Sequence, residues 1–360
     1  MNKKRNLIWR GFFSGSSGIT SASKIYPLAA NIAGIKCFVD PIRVMDKDDM
    51  LQNIKATPKE IDEGLVILHQ IPTRMPDNDG YFVVTEFETC HPSWWPLLTD
   101  AEIILTQSQF CKEVFSRIPG MDPDKIHIVQ YPITPNFVPE GKKVKYNWKG
   151  PVEFVFGSVF EWVGRKKPEL MWQAFMEEFP IDEYPDVRFV NRISEPWGFK
   201  DWRVYFNKFT KKDPRIVVLD KFIPEISDLY RSFDCYCSPT AGEGWGATLS
   251  EAMACGIPSI GSRHSGNLDF MNDENSYLVE VEEWSYVEKD ITNRVKGLVL
   301  PWMRWKLPKV ESIRKAMRAV YTIKINGNIN PISAEAVKVA KKLNIIEIGE
   351  QIRKIMEPIL

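Results

Sequence analysis

Short apolar runs recur along the chain, and segments of helical character separate them. Six such runs occupy the first part of the sequence: residues 7–13, 36–39, 65–69, 81–85, 103–106 and 126–129. Their apolar residues are mostly consecutive and do not alternate with polar ones, a pattern typical of strands covered on both faces of a sheet. The sequence therefore predicts an α/β fold with a largely parallel sheet.

A second α/β series follows after residue 151. It comprises predicted strands at 152–157, 187–191, 215–219, 235–238 and 258–261, with helices at 168–179, 224–233 and after the glycine-rich turn at 242–246. Residues 135–151 read PNFVPEGKKVKYNWKGP, which is rich in Pro, Gly and Lys and lacks apolar periodicity. This composition is typical of a linker. We therefore predict two similar α/β domains, over residues 1–145 and 150–330.

The composition argues against a nucleic-acid-binding surface, a membrane span and an oxidising compartment. The 47 basic and 47 acidic residues give no net charge, so no broad basic surface for nucleic acid is indicated. The basic N-terminal start is followed by an apolar stretch that Arg10 interrupts, and no run approaches the roughly 20 apolar residues of a membrane span. The six cysteines form no C-x-x-C pair and fit a reducing compartment. We expect a cytoplasmic protein, with peripheral membrane association as the alternative.

The segment 238–261, SPTAGEGWGATLSEAMACGIPSIG, combines a glycine-rich turn with the start of a helix. Glycines at 242, 244 and 246 permit positive φ and close approach of a ligand to the backbone. A helix beginning near Ala247 offers unpaired N–H groups and a positive dipole end to phosphate oxygens. The turn therefore predicts a phosphate site.

Two acids bracket this turn. Glu251 lies about one helical turn beyond Ala247, roughly 6 Å along the axis, and can reach a ribose while the amides hold phosphate. Glu243 precedes the turn and can face the other end of the ligand. The arrangement suits a nucleotide diphosphate-sugar, whereas a solvated acid beside an ordinary β–α connection is the plainer alternative.

A second candidate element is GSVFEWVGRKKP at residues 157–168, where a predicted strand leads into a helix past three consecutive cations. Cations in a water-poor site stabilise the negative charge that develops on a departing diphosphate. We predict that Arg165 and Lys166 do this, and the choice between Lys166 and Lys167 stays open. A solvated basic turn is the alternative.

Both elements resemble motifs of one enzyme family. Glu243 and Glu251, with seven residues between them and AMACGIP after them, are similar to the EGxGxxxxEAMAxGxPVI signature of family 4 retaining glycosyltransferases. Residues 157–168 resemble the GxxxxxKG motif of that family, in which an Arg and a Lys contact the phosphates of the donor. The chain departs from it at Lys167 and Pro168, where a glycine is usual. The likeness is strong over 152–281 and weaker over 7–140.

The resemblance implies a GT-B fold, in which two Rossmann-like domains face each other across a cleft. It implies transfer of a hexosyl-type sugar, with retained configuration and without a metal, from a nucleotide diphosphate-sugar to an acceptor hydroxyl. Residues 1–145 would form the acceptor-side domain and 150–330 the nucleotide-sugar domain. A basic amphipathic helix over 333–360 would pack back on the first domain, with a membrane surface as the alternative.

The resemblance also implies roles for individual residues. The catalytic group would consist of Arg165, Lys166, Glu243 and Glu88. The donor-binding group would consist of Gly15, Gly18, Gly244, Trp245, Gly246, Ala247, Thr248 and Glu251.

In the first domain, residues are assigned to the site because their places along the chain correspond to those of site residues in the family. The loop at 14–18 follows the first predicted strand and lacks the G-x-G-x-x-G spacing of a dinucleotide site. The segment VVTEFE at 83–88 stands where many family members carry a histidine near the donor sugar, and its Thr85-x-x-Glu88 pattern resembles a subset of the family. Glu88 is the preferred polar contact and Glu86 the second choice, with a strand-end carboxylate as the alternative.

Other features leave alternatives open. The four histidines show no spacing suited to a metal, and His264 is expected to be a structural loop residue. The segment carrying Trp284, Trp302 and Trp305 fits either a packed insertion or an acceptor contact. A sugar-nucleotide epimerase or phosphorylase on the same scaffold, and a non-catalytic nucleotide-sugar-binding module, remain alternative functions. The base, the sugar, the oligomeric state and the acceptor (glycan, lipid, protein or modified nucleic-acid base) stay open.

Overall fold

The computed structural model describes residues 5–14, 18–43, 50–73, 75, 78–146, 150–194, 202–219, 223–289 and 299–360. These divide into unit 1, which comprises Met1–Thr134 and Lys342–Leu360, and unit 2, Pro135–Lys341. The division falls after Thr134, at the start of the predicted linker 135–151, so unit 1 ends before the predicted limit of the first domain at residue 145. The guanidinium of Arg231 accounts for the difference, because it donates to the backbone carbonyls of Asn136, Val138 and Lys142 and so fixes the predicted linker to unit 2.

Unit 1 contains a six-stranded parallel sheet in the order β2-β1-β3-β4-β5-β6. Its strands are β1 Leu7–Gly11, β2 Cys37–Pro41, β3 Leu65–His69, β4 Gly80–Phe82, β5 Ile103–Thr106 and β6 Ile126–Ile128. Its first four helices are α1 Gly18–Ile32, α2 Pro58–Asp62, α3 Trp95–Asp100 and α4 Gln109–Ser116. β1 and β3 are buried along their whole length, which explains their continuous hydrophobicity.

Unit 2 contains a second six-stranded parallel sheet, in the order β12-β11-β10-β7-β8-β9. Its strands are β7 Phe154–Glu161, β8 Val187–Ser194, β9 Ile216–Leu219, β10 Cys235–Cys237, β11 Ser259–Ser262 and β12 Tyr277–Val279. Its helices include α5 Pro168–Glu178, α6 Trp202–Phe209, α7 Ile226–Tyr230 and α8 Ala247–Ala254. The prediction of two parallel-sheet α/β domains is confirmed.

An antiparallel pair follows the second sheet. Its strands are β13 Val281–Tyr286 and β14 Arg304–Pro308, and we call the pair with its flanking residues 287–289 the hairpin. Helices α9 Val310–Ile325 and α10 Pro331–Lys341 complete unit 2. Short 3₁₀ turns lie at Met50–Ile54, Pro92–Trp94, Pro123–Lys125, Gly164–Lys166 and Gly266–Asp269.

The core of unit 2 is aromatic around β7. Phe154, Phe156, Trp172 and Phe175 are fully buried, and burial of each such side chain contributes about 2 kcal/mol. A Cβ at Gly157 would lie 2.2 Å from the ring of Phe233, so β7 needs a glycine where that ring packs.

The tail forms two helices in place of the single helix predicted over 333–360. α10 ends at Lys341 and packs on α8, and helix α11, Ile345–Met356, packs on α1 in unit 1. The break lies at Asn344, whose side chain accepts from the N–H groups of Ile346 and Glu347 at 3.0 and 3.1 Å and so starts a new helix. Within the described part of the chain, no helix combines the length and hydropathy needed to cross a membrane.

Candidate active site

The order of the strands in unit 2 reverses between β7 and β10. At such a switch point the two connections leave in opposite directions, and ligands of open α/β sheets bind in the crevice beyond the carboxyl ends of the strands. β7 leads into the 3₁₀ turn Gly164–Lys166, and β10 leads through residues 238–246 into α8. The two motifs singled out in the sequence therefore meet at one crevice.

A buried ion cluster joins these two connections. The carboxylate of Glu243 contacts Arg165 Nη1 at 2.8 Å and Lys166 Nζ at 2.6 Å, and Glu243 is only 5% exposed. Burial by itself would raise the pKa of Glu243, but the charges of Arg165 and Lys166 outweigh it and lower the pKa to about 2. The three side chains carry a net charge of +1 and are suited to bind an anion.

The loop after β11 fixes the backbone that carries Glu243. The N–H of Glu243 donates to Ser265 Oγ at 2.8 Å, and the N–H of Gly266 donates to the carbonyl of Glu243 at 2.9 Å. A Cβ at Gly266 would lie 2.2 Å from the carbonyl oxygen of Gly244, so only glycine fits there. The role of this Ser-Gly pair was missed from the sequence, where its one signal was its position just after a strand.

The start of α8 forms the next part of the site. Gly246 adopts φ 98° directly before Ala247 and so turns the chain into the helix. The first N–H groups of a helix lack intrahelical partners and attract anions, and here they belong to Ala247 and Thr248. Of the three glycines that permit positive φ, all within the described residues, Gly246 alone adopts it. Trp245 is buried beneath the turn, with its ring 4.8 Å from that of Phe270.

Glu251 lies one turn along α8 and has a different environment from Glu243. It accepts a hydrogen bond from the hydroxyl of Tyr230 at 2.8 Å. Burial raises its pKa to about 7, and the hydrogen bond from Tyr230 opposes this only in part. The two acids of the signature therefore differ, because Glu243 is ionised at every ordinary pH whereas Glu251 titrates near neutrality.

Lys166 and Lys167 point to different partners. Lys167 adopts φ 44°, a left-handed conformation that costs a non-glycine residue roughly 1–2 kcal/mol. Its ammonium pairs with Glu288 and lies 4.5 Å from the ring centroid of Trp305. Lys166 thus belongs to the cluster with Glu243, and Lys167 contacts the hairpin.

Of the site residues predicted in unit 1, the structure describes Gly18, Glu86 and Glu88. Gly15 lies outside the described residues, and Gly18 is the first residue of α1. Glu86 and Glu88 are half-buried in a turn that Thr85 braces, since its hydroxyl accepts from the N–H of Phe87 at 3.3 Å. Glu88 also lines a surface pocket of about 200 Å³, together with residues that include Trp95 and Arg117.

Sequence reasoning missed a buried histidine in unit 1. His69 ends β3, next to β1, where the strand order of unit 1 reverses. Trp9 Nε1 donates to His69 Nδ1 at 3.1 Å, and Ser23 Oγ lies 3.3 Å from the same nitrogen. Burial lowers the pKa of His69 to about 3, so the ring is neutral and carries its proton on Nε2.

Comparisons with known proteins agree with this geometry. Residues 164–293 match the family of glycosyl transferases group 1. The chain is similar over 98% of its length, with a TM-score of 0.70 and 14% identity, to the whole of Anabaena Alr3699/HepE in complex with UDP and glucose. The fold is GT-B. WaaG, a glycosyltransferase involved in lipopolysaccharide biosynthesis, is similar at a TM-score of 0.61 and 11% identity, with 98% of this chain and 99% of WaaG covered.

One sequence relative is similar over a short segment. The GtfA subunit of a UDP-N-acetylglucosamine–peptide N-acetylglucosaminyltransferase from Streptococcus gordonii is 36% identical over 69 residues, or 19% of this chain. The aligned segment spans 13% of that relative's length. Together with the family match and the GT-B fold, this finding supports a glycosyltransferase.

The hairpin is a packed part of this GT-B chain. Trp305 is 1% exposed, whereas Trp302 is 45% exposed. The ring of Trp284 lies 5.2 Å from that of His264, in an edge-to-face arrangement. Burial, assisted by the charge of Lys306, lowers the pKa of His264 to about 4. His264 thus lies in a neutral aromatic contact between the hairpin and the loop that supports Glu243.

Proposed function

We propose that this chain is a family 4 retaining glycosyltransferase that transfers a hexosyl-type sugar from a UDP-sugar to an acceptor hydroxyl. The observation that carries the proposal is the Arg165–Lys166–Glu243 cluster at the switch point, next to the start of α8. The segment that matches group 1 glycosyl transferases contains all three residues together with Glu251. Uridine is favoured because the names of HepE and of the S. gordonii relative refer to UDP or to a UDP-sugar.

Each part of the site is suited to one part of such a donor. The diphosphate would lie between the first N–H groups of α8 and the cations of Arg165 and Lys166. Glu243, which is ionised and held by its backbone, would orient hydroxyls of the sugar. Glu251 would accept hydrogen bonds from the ribose hydroxyls. These would either replace the hydrogen bond from Tyr230 or add to it.

The proposed reaction breaks the bond between the anomeric carbon and the β-phosphate oxygen. A bond forms between the anomeric carbon and the acceptor oxygen on the same face of the sugar, and the acceptor proton passes to the departing phosphate. Positioning and the fixed charges of Arg165 and Lys166 would supply most of the rate. Because these two cations neutralise the leaving group, we expect transfer to proceed in the presence of EDTA.

Thermal unfolding with a panel of donors tests the proposal. A ligand that binds the folded state raises the melting temperature by mass action. UDP-glucose and UDP-N-acetylglucosamine should do so more strongly than GDP-mannose or ADP-glucose, and the matching acceptor should release UDP. Stabilisation by none of the four would contradict the donor site, and NMR analysis showing an inverted anomer would contradict retention. Binding without UDP release under any acceptor class would instead favour a nucleotide-sugar-binding module.

A further inference from the structure

The hairpin contacts the candidate site through Lys167, one of the two residues at which the chain departs from the family motif. Lys167 has a left-handed backbone, a conformation that glycine adopts without steric cost and lysine does not. In this chain the side chain of Lys167 is 4% exposed and is held by the carboxylate of Glu288 and the face of Trp305. Cation–π and ionic contacts with the hairpin therefore offset the unfavourable backbone.

Two successive backbone hydrogen bonds lead from the hairpin to the connection after β10 and from there to the connection after β7. The N–H of Ala241 donates to the carbonyl of Arg165 at 2.8 Å, and the N–H of Lys306 donates to the carbonyl of Ala241 at 3.3 Å. Ala241 lies two residues before Glu243, and Arg165 is itself a member of the cluster. The hairpin thus borders the backbone of both segments that supply the buried ions.

A third contact reaches the loop that supports Glu243. Trp284 of the hairpin packs edge-to-face on His264, whose neighbour Ser265 accepts from the N–H of Glu243. Lys306 Nζ lies 5.1 Å from the ring centroid of Trp284. The hairpin therefore contacts the connections after β7, β10 and β11, which are the connections that form the site.

We propose that the hairpin is a positioning element of the phosphate subsite and acts through Lys167, which is a positioning residue and not a phosphate ligand. The proposal rests on the proposed function for the identity of the ligand. The hairpin would pre-organise the subsite. Because it holds Lys167 in one conformation, it fixes the turn that presents Arg165 and Lys166 to Glu243. A glycine at 167 would adopt this turn freely but would lose the side-chain contacts to Glu288 and Trp305 of the hairpin.

Hydrogen exchange tests this connection without reference to activity. Amide exchange would be measured over residues 163–168 and 240–246 in the wild type, Glu288→Gln, Lys167→Gly and the double variant. Glu288→Gln should raise exchange severalfold in both segments, and the double variant should exchange no faster than Lys167→Gly. Glu283→Gln, an exposed acid on β13, is the matched control and should match the wild type. Equal exchange in Glu288→Gln and Glu283→Gln would overturn the proposal.

Kinetics with UDP-glucose provide the second readout. We expect Glu288→Gln and Lys167→Met to lower kcat/KM about tenfold, and Lys167→Arg to restore most of it, because arginine keeps both the ion pair and the stacking. A loss in Lys167→Met that Glu288→Gln does not share would indicate a phosphate ligand and overturn the proposal. If the exchange coupling is present but the wild type does not bind UDP-glucose, the donor assignment fails while the hairpin's positioning of the turn stands.

Discussion

The two switch points of this chain share an architecture and differ in chemistry. In each unit a parallel sheet reverses its strand order, between β1 and β3 in unit 1 and between β7 and β10 in unit 2. The residues that follow β7 and β10 are ionised and form a buried cluster around Glu243. At the first switch point the residue that ends β3, His69, is neutral and accepts from Trp9, and the buried Arg10 near the end of β1 pairs with Asp40 of β2. The strand order creates a crevice, and the residues at its strand ends decide what it can bind.

The difference extends to the way each region is stabilised. Unit 1 surrounds His69 with aromatic rings, since Trp9, Tyr26 and Phe82 have ring centroids within 6 Å of it. Unit 2 holds its charges through hydrogen bonds from Ser265 and Gly266 and through the hairpin. A buried charge is tolerated only when it is paired and its surroundings are fixed. Substitutions at the second switch point should therefore affect ligand binding, and those at the first mainly stability.

The largest effect is expected at Glu243. Glu243→Ala leaves the buried Lys166 and the partly exposed Arg165 without their carboxylate, which should lower the free energy of unfolding by about 3 kcal/mol. Transfer should fall by about two to three orders of magnitude, because an orienting group and the positions of both cations are lost. Chemical denaturation and initial rates with UDP-glucose measure the two effects. A variant with both quantities near wild type would show that the cluster is an incidental ion pair.

Lys166 should have the next largest effect. Lys166→Met removes one charge-assisted contact to the diphosphate and should weaken UDP-glucose binding by about 10- to 100-fold. Lys208→Met, a change of the same kind at an exposed position of α6, is the control and should leave the affinity unchanged. Calorimetry compares the two variants directly. Equal affinities would remove Lys166 from the phosphate site.

Much of the fold and of the site in unit 2 could be predicted from the sequence, because these features depend on local patterns. The continuous apolar runs indicated parallel strands, and the glycine-rich turn before Ala247 indicated the start of α8. Glycines 242 and 244 permit positive φ as well, but the turn uses only one left-handed residue, Gly246. Local pattern thus identified the turn but not its conformation at each residue.

Features that depend on contacts distant in sequence could not be predicted. Lys167 and Glu288 are 121 residues apart, and Trp9 and His69 are 60 apart. Nothing local distinguishes Lys166 from Lys167, because a single left-handed residue decides which of them faces Glu243. The hairpin was likewise recognised only as an aromatic segment, since its pairing joins strands separated by residues 287–303.

Glu251 provides a pH-dependent contrast with Glu243. Because burial raises its pKa to about 7, its ionised fraction rises from about one tenth at pH 6 to about nine tenths at pH 8. If the carboxylate binds the ribose, affinity for UDP-glucose should rise up to tenfold over this interval. Glu251→Gln should bind with little pH dependence, and UDP-glucose is used because its diphosphate carries no terminal phosphate that titrates nearby. A wild-type affinity that is flat with pH would contradict the ribose contact.

The smallest effect is expected at the first switch point, where the neutral His69 should influence stability and not donor binding. Its pKa of about 3 in the folded state lies below the unfolded value near 6.5, so below pH 6.5 the unfolded chain binds a proton that the folded chain does not. The stability that His69 contributes is complete above pH 6.5 and falls as the pH drops, by about 1 kcal/mol between pH 6.5 and 5.5.

His69→Gln keeps an acceptor for Trp9 and does not titrate, so its unfolding free energy should fall less over this interval. Denaturant titrations at the two pH values measure the difference, and UDP-glucose affinity should stay within twofold of wild type. A large loss of affinity in His69→Gln would show that the first switch point also contributes to ligand binding.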